Sequence, residues 1–122
     1  MKSLFCMFCT LAIASSVSAQ ETGNAMLKYG LNFLKTPYVA HTLEVNEEEK
    51  LVVNFDEVDC TTFVEYVLAL SLSPVKNGAI DKTDYARVLQ KIRYRDGRIN
   101  GYTSRLHYIA DWINNGVKHG FM

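Results

Sequence analysis

The chain has 122 residues, of which 48% are hydrophobic, so it can form one small domain around a single core. Thirteen basic residues balance thirteen acidic ones, giving a formal net charge of zero. A nucleic-acid backbone is normally held by an excess of basic side chains. We therefore expect no nucleic-acid partner.

The first nineteen residues have the pattern of a cleavable signal peptide. Lys2 supplies a positive start, and residues 4–14 are apolar but shorter than the roughly 20 residues of a membrane-spanning helix. Residues 17–19 (Val-Ser-Ala) give a small-residue cleavage site. We expect an exported protein, periplasmic or secreted, that begins near Gln20 and does not stay inserted in the membrane. A membrane anchor is the alternative interpretation.

Cleavage would leave 103 of the 122 residues, with a formal charge of −1 because Lys2 is lost. The first part of this mature chain predicts one helix, a loop and one strand. Residues 22–34 place four apolar side chains at helical spacing: Met26, Tyr29, Phe33 and Leu34. Pro37 then disfavours helix in the residue before it. Residues 41–50 predict an acidic loop, and the β-branched run 51–55 predicts a strand.

The middle of the chain predicts two helices separated by a turn. The first runs from Cys60 to near Pro74 and is apolar enough to be buried on more than one side. Asn77-Gly78 is typical of a turn, and Asp81 can cap a second helix over residues 82–92.

The last part predicts a basic, glycine-broken loop or hairpin over residues 93–103, then a final helix capped by Ser104 and stopped by Asn115-Gly116. The apolar residues expected on its buried face are Leu106, Ile109, Ala110 and Ile113. One strand alone leaves both of its edges unpaired. Either the fold is mostly helical, or the strands that pair with residues 51–55 lie outside this chain.

Cys60 is the candidate nucleophile. It is the only cysteine left after cleavage, because Cys6 and Cys9 belong to the signal peptide. It stands at a predicted strand-to-helix junction, where unpaired backbone N–H groups favour a thiolate and can bind an oxyanion. Thr61 and Thr62 leave the thiol uncrowded. The alternative is an inert thiol, buried or on the surface.

A thiolate nucleophile needs a base, and three histidines are available. His107 precedes Asp111 by four residues, so a helix would place the carboxylate where it can orient the imidazole. His41 lies in the acidic loop and His119 in the tail. The alternative for His107 is a surface histidine. Because the one remaining cysteine and these histidines lack zinc-ligand spacing, no metal is expected. The sequence has no glycine-rich phosphate loop, and no cofactor is expected.

Arginines cluster in the loop after the third predicted helix. Arg93, Arg95 and Arg98 could hold a substrate carboxylate through paired hydrogen bonds. The alternative is solvated charge.

Taken in order, these segments resemble the N-acetylmuramoyl-L-alanine amidase-like family of exported bacterial proteins, which belongs to the NlpC-type class of papain-like cysteine peptidases and amidases. The matching segments are 36–40 (TPYVA), 43–44, 51–54, 59–65 (DCTTFVE), 92–95, Tyr102, 104–108 (SRLHY) and 111–113 (DWI). They cover nearly the whole mature chain in the family's order.

The resemblance implies an α+β, papain-like cysteine hydrolase that cuts the N-acetylmuramoyl-L-alanine bond, or a nearby stem-peptide amide, in peptidoglycan. It implies Cys60 as nucleophile, with His107 as the candidate base within this chain. Four further side chains are expected to line the cleft and bind substrate: Tyr38, Asp59, Arg105 and Tyr108.

The chain departs from the family in two ways. His41 stands where the family usually has a small residue, often glycine. The family domain is also about twice as long and takes its base histidine from a strand downstream of the cysteine helix. We therefore expect residues 20–122 to be the N-terminal part of the domain, incomplete and inactive if truncated.

Two other functions remain open. The first is a non-catalytic exported module that grips muropeptides through arginines and aromatic rings, namely Arg93, Arg95, Arg105, Tyr102, Tyr108 and Trp112. The second is a small helical structural protein with an incidental cysteine.

Overall fold

The computed structural model describes residues 20–122, so the predicted signal peptide lies outside the described residues. Helix α1 covers residues 20–31, α2 Cys60–Leu72, α3 Lys82–Arg93 and α4 Ile109–Lys118. Strands β1 (Val75–Lys76) and β2 (Ala79–Ile80) pair antiparallel. Short 3₁₀ turns cover Arg95–Gly97 and Tyr102–Ser104. The described region is thus helix-rich α+β, as predicted.

Helix α2 is the centre of the fold. Asp59 caps its N-terminus, accepting from Thr62 N at 2.8 Å while Thr62 Oγ1 accepts from Asp59 N at 2.9 Å. Tyr66 and Ala69 are fully buried. The helix ends at Leu72, close to the predicted stop.

Helix α3 packs against both α2 and α4. The predicted cap is confirmed, because the Asp81 carboxylate accepts from Thr83 N and Asp84 N. The buried core collects apolar side chains from all three helices and from two flanking segments: Val58, Tyr66, Leu68, Ala69, Tyr85, Leu89, Ile92, Leu106 and Trp112.

The strand predicted at residues 51–55, directly before the cysteine helix, is wrong, because this segment is irregular. Side chains, rather than a neighbouring strand, satisfy part of its backbone. Arg93 Nη1 donates to Val52 O at 2.5 Å, and Asn54 N donates to Tyr66 Oη at 3.0 Å. The hairpin lies instead at residues 75–80, where Asn77 and Gly78 both have positive φ and form the predicted turn.

The first helix is shorter than predicted. It ends at residue 31, and residues 32–35 form turns. Met26 and Phe33 pack against the core as expected, whereas Leu34 is 78% exposed.

The last helix also begins later than predicted. Its N-cap is Tyr108, which makes no side-chain capping bond. Ser104 is not the cap, because its hydroxyl donates to Gly101 O at 2.7 Å and accepts from Asn100 N. The helix continues through Asn115 and Gly116 to Lys118.

The buried face of α4 differs from the predicted one. Trp112, Asn115 and Gly116 face the interior, whereas Ile109 and Ile113 are largely exposed. No helix within residues 20–122 is both long and apolar enough to span a bilayer.

Candidate functional site

Cys60 is the first residue of α2, and its free thiol is exposed. Its Sγ lies 4.0 Å from Thr61 Oγ1. Among the first N–H groups of the helix, Thr62 N is taken by the Asp59 carboxylate and Phe63 N by Asp59 O. The N–H groups of Cys60 and Thr61 have no partner within the helix.

A cleft of about 330 Å³ opens beside Cys60. Three segments line it: residues 41–44, the beginning of α2 with its cap, and residues 102–107. The cleft brings together the predicted site residues Asp59, Arg105 and His107. Cys60 is not among the lining residues, although both of its sequence neighbours are.

His107 lies before α4 rather than within it. Its Nε2 is 2.9 Å from Tyr102 O, and its exposed ring packs on the Tyr102 ring with centroids 4.2 Å apart. The predicted pairing with Asp111 is wrong, because residues 107 and 111 do not share a helix and i,i+4 spacing does not apply. Asp111 instead lies 3.5 Å from Arg95.

Arg105 is buried although it lines the cleft, with only 8% of its side chain exposed. Its guanidinium lies over the Tyr102 ring, and Nε is 3.1 Å from Glu49 Oε1. Those atoms are within ion-pair distance but not aligned for a hydrogen bond. Nε and Nη2 therefore remain buried donors without a hydrogen-bond partner among residues 20–122.

Arg93 does not form a cleft wall. Its guanidinium is buried and donates from Nε to Glu65 Oε2 at 2.8 Å. Burial raises the pKa of the Glu65 carboxyl, and the Arg93 charge opposes part of that rise. Trp112 is buried as well. Two of the six residues named for the binding module, Arg93 and Trp112, are therefore not exposed for contact with a ligand.

The two predicted tyrosines lie outside this cleft, and both are strongly exposed. The backbone of Tyr38 forms a parallel bridge with Val58, close in sequence to Asp59. Tyr108 lines an adjoining cleft of about 380 Å³ that shares Arg105 and His107 with the first.

His41 adopts a left-handed backbone conformation, with φ of 62°. Glycine takes this conformation without strain, whereas a side chain such as that of histidine rarely adopts it. The His41 ring lies 3.1 Å from Glu44 Oε2, and both residues line the cleft.

Sequence reasoning assigned no site role to four residues of this region: Thr42, Glu44, Glu49 and Glu65. Thr42, Glu44 and Glu65 line the cleft. The three glutamates contact Arg93, Tyr94 or Arg105, far along the chain, so no local pattern shows these contacts. Within residues 20–122, no group of three histidine, cysteine or acidic side chains is placed to hold a metal ion.

Comparison with protein families gives one match. Residues 28–122 match the model of a family described as N-acetylmuramoyl-L-alanine amidase-like. The comparison with curated proteins found no match.

Solved structures of two Bacteroides proteins are at least 61% identical to this chain. An N-acetylmuramoyl-L-alanine amidase from Bacteroides uniformis is 64% identical, with a TM-score of 0.75, over 77% of this chain and 40% of that one. A Bacteroides fragilis structure provisionally described as a xylanase is 61% identical, with a TM-score of 0.74, over 78% and 41%. The chain thus spans about two fifths of these relatives.

A more distant structure shares the fold. A Legionella pneumophila protein is 22% identical, with a TM-score of 0.69, over 89% of this chain and 36% of that one. At this identity the likeness concerns the fold alone.

Proposed function

Because the chain belongs to the N-acetylmuramoyl-L-alanine amidase-like family, we propose that it forms part of a peptidoglycan hydrolase that acts as a cysteine amidase. The bond cut is the amide between N-acetylmuramic acid and L-alanine, or a neighbouring amide of the stem peptide. The observation that carries the cysteine mechanism is the exposed Cys60 thiol on the first residue of a buried helix, beside a polar cleft.

In this mechanism the Cys60 thiolate attacks the amide carbonyl carbon. The backbone N–H groups of Cys60 and Thr61 are the candidate donors to the oxyanion that develops. The C–N bond then breaks, the amine leaves with a proton from the general acid, and water hydrolyses the thioester. The Asp59 carboxylate at the same helix end opposes part of the positive field that favours the thiolate.

Two assignments of the base are carried forward. The first is His107, whose Nδ1 would accept the proton while Nε2–H donates to Tyr102 O. The second is a histidine in the part of the relatives that this chain does not span. The second assignment is supported by the fact that Cys60 makes no hydrogen bond to a histidine in the described region.

The finer fold and location belong to the same proposal. We assign the chain to the papain-like, NlpC-type class, with export directed by residues 1–19 and action in the periplasm on peptidoglycan. A chain that lacks residues 1–19 and carries no other leader should then fail to reach the periplasm on cell fractionation.

The test of the cysteine mechanism uses a chimera in which residues 28–122 replace the matching part of the Bacteroides uniformis amidase. We expect the chimera to release L-alanine from N-acetylmuramoyl-L-alanine, and Cys60→Ala to lower kcat/KM by about 10³-fold or more, because the nucleophile is lost. Thr61→Ser, next to the thiol, is the matched control and should retain most of the activity.

Two results would contradict this mechanism. One is a Cys60→Ala chimera as active as its parent. The other is release of reducing sugar from xylan, included because one relative is provisionally described as a xylanase, without release of L-alanine.

The second candidate function is a muropeptide-binding module without catalysis. The exposed Tyr108 and the buried donors of Arg105 favour it. It predicts binding of N-acetylmuramoyl-L-alanine that is unaffected by alkylation of Cys60, with no product formed. Release of L-alanine that alkylation abolishes excludes it.

A further inference from the structure

Two buried side chains from distant segments present polar atoms without a hydrogen-bond partner at the same cleft. Thr42 is 7% exposed, and its Oγ1 has no hydrogen-bond partner among the described residues. Arg105 is similarly buried, and neither Nε nor Nη2 is hydrogen-bonded there. Both residues line the 330 Å³ cleft beside Cys60.

Unpaired buried polar atoms are unfavourable, since the cost of removing them from water is not recovered. A guanidinium can only donate hydrogen bonds, and a threonine hydroxyl can donate one. The occupant that would satisfy these atoms must therefore carry hydrogen-bond acceptors. A carboxylate supplies two acceptor oxygens and matches the fork of an arginine.

The charges around Arg105 show where such a group would fit. Glu49 is firmly held, because its buried carboxylate also accepts from Tyr94 Oη at 2.7 Å. Glu44 makes no hydrogen bond to Arg105, since its Oε1 lies 3.7 Å from Arg105 Nη2. Its side chain is 43% exposed, and its Oε2 lies 3.1 Å from His41 Nδ1. A partly exposed carboxylate of the chain itself thus lies near these donors without a hydrogen bond to them.

We propose that the Thr42–Arg105 side of this cleft binds a carboxylate of the substrate, which takes the place of Glu44 beside the guanidinium. The identity of that substrate as an N-acetylmuramoyl peptide rests on the proposed function. The carboxylate subsite itself rests on the donors that lack a hydrogen bond and on Glu44, which is partly exposed and makes no hydrogen bond to Arg105.

The first test compares two probes that differ in one group. N-acetylmuramoyl-L-alanine carries a free alanine carboxylate, and N-acetylmuramoyl-L-alaninamide does not. Binding to the full chain with Cys60→Ser, which prevents turnover, is measured by titration calorimetry. We expect the carboxylate to bind about tenfold or more tightly than the amide, as hydrogen bonds to charged groups do.

The variant that separates binding from folding is Thr42→Val, which keeps the shape and removes the hydroxyl. Affinity for N-acetylmuramoyl-L-alanine should fall roughly two- to tenfold. The midpoint of urea unfolding should stay the same or rise, because an unpaired buried hydroxyl is gone. A merely structural hydroxyl would lower the midpoint and leave the affinity unchanged.

Glu44→Gln should change the affinity in the direction opposite to Thr42→Val. It removes the competing carboxylate and should raise affinity for the carboxylate probe about two- to fivefold, within the range of partly exposed ion pairs. The matched control is Glu48→Gln, an exposed glutamate in the same loop that does not line this cleft. It changes the net charge equally and should leave affinity unchanged.

The outcomes separate this proposal from the proposed function. Equal binding of both probes overturns the carboxylate subsite while leaving an N-acetylmuramoyl ligand in place. Binding of neither probe overturns both. Unchanged affinity in Thr42→Val together with no gain in Glu44→Gln overturns the assignment to this side of the cleft, even if the two probes differ.

Discussion

At the scale of single residues, Tyr94 connects the site to the core. Its side chain is almost wholly buried, and its hydroxyl donates to Glu49 Oε1 at 2.7 Å and lies 3.2 Å from Lys50 O. Burial raises the pKa of Tyr94, so the hydroxyl stays protonated and able to donate. Glu49 in turn is the fixed partner of Arg105.

Tyr94→Phe is therefore expected to lower the free energy of unfolding by about 1.5–3 kcal/mol, the cost of losing a hydrogen bond to a buried charged group. Urea unfolding measures the change. Tyr108→Phe, which removes the hydroxyl of a largely exposed tyrosine, is the control and should alter stability little. Equal effects of the two variants would show that Tyr94 does not hold Glu49.

Sequence reasoning at this scale identified residues whose chemistry is local. Asp59 was expected at the cleft from the family resemblance. Cys60 and Asp81 were identifiable because helix starts and capping depend on neighbours within four residues. Glu49 and Glu65 were not, since their partners lie 45 and 28 residues away. The catalytic and binding roles of the proposed site residues remain predictions.

At the scale of elements, the ion pair between Glu65 of α2 and Arg93 of α3 joins the two central helices. Both side chains are at most 2% exposed, and Arg93 also donates to Val52 O. Removing one member of such a pair leaves the other charge buried and uncompensated.

Arg93→Met should thus lower the free energy of unfolding by about 3–5 kcal/mol. The double variant Glu65→Leu with Arg93→Met should lose less than the single one, because no charge stays buried alone. Guanidinium unfolding of both is compared with Arg98→Met, which changes an exposed arginine. A double variant less stable than Arg93→Met would contradict the argument.

Helices were more predictable than the remaining backbone. Apolar spacing predicted α2 almost to the residue, and apolar spacing with the Asp81 cap predicted α3, because those signals act within one or two turns. The β-branched composition of residues 51–55 predicts a strand. In the structure, the side chains of Arg93 and Tyr66 form hydrogen bonds with the backbone of this segment in place of a neighbouring strand. That outcome depends on tertiary structure, which overrides local β preference.

At the scale of the whole molecule, Asp96 joins the turn after α3 to the end of α4. Lys118 Nζ and His119 Nε2 lie 2.9 and 2.8 Å from its Oδ1. The hydrogen bond from Lys118, followed by that from His119, lowers the pKa of Asp96 to about 2 from an ordinary 3.8. These contacts hold the turn after α3 against the C-terminal end of α4.

A carboxyl whose pKa is lower in the folded than in the unfolded state stabilises the fold at pH values above the unfolded-state pKa. That contribution is lost as the pH falls toward the folded-state pKa, here about 2. Asp96→Asn, which also tolerates the positive φ at this position, should therefore flatten the loss of stability between pH 4 and pH 2. Urea midpoints at several pH values measure it. Asp56→Asn, at an exposed position, should keep the wild-type dependence of the urea midpoint on pH. The same dependence in the wild type and both variants would show that Asp96 does not contribute to it.

Because the side chains of Arg93 and Tyr66 bond to the backbone of residues 51–55, substitutions within that segment should be tolerated better than substitutions of those two residues. A strand in a sheet requires suitable residues along its whole length, since each position contributes to pairing. Here the requirement falls on Arg93 and Tyr66, outside the segment. Val53, which is 43% exposed, should accept many amino acids in a deep mutational scan, whereas Arg93 should accept almost none.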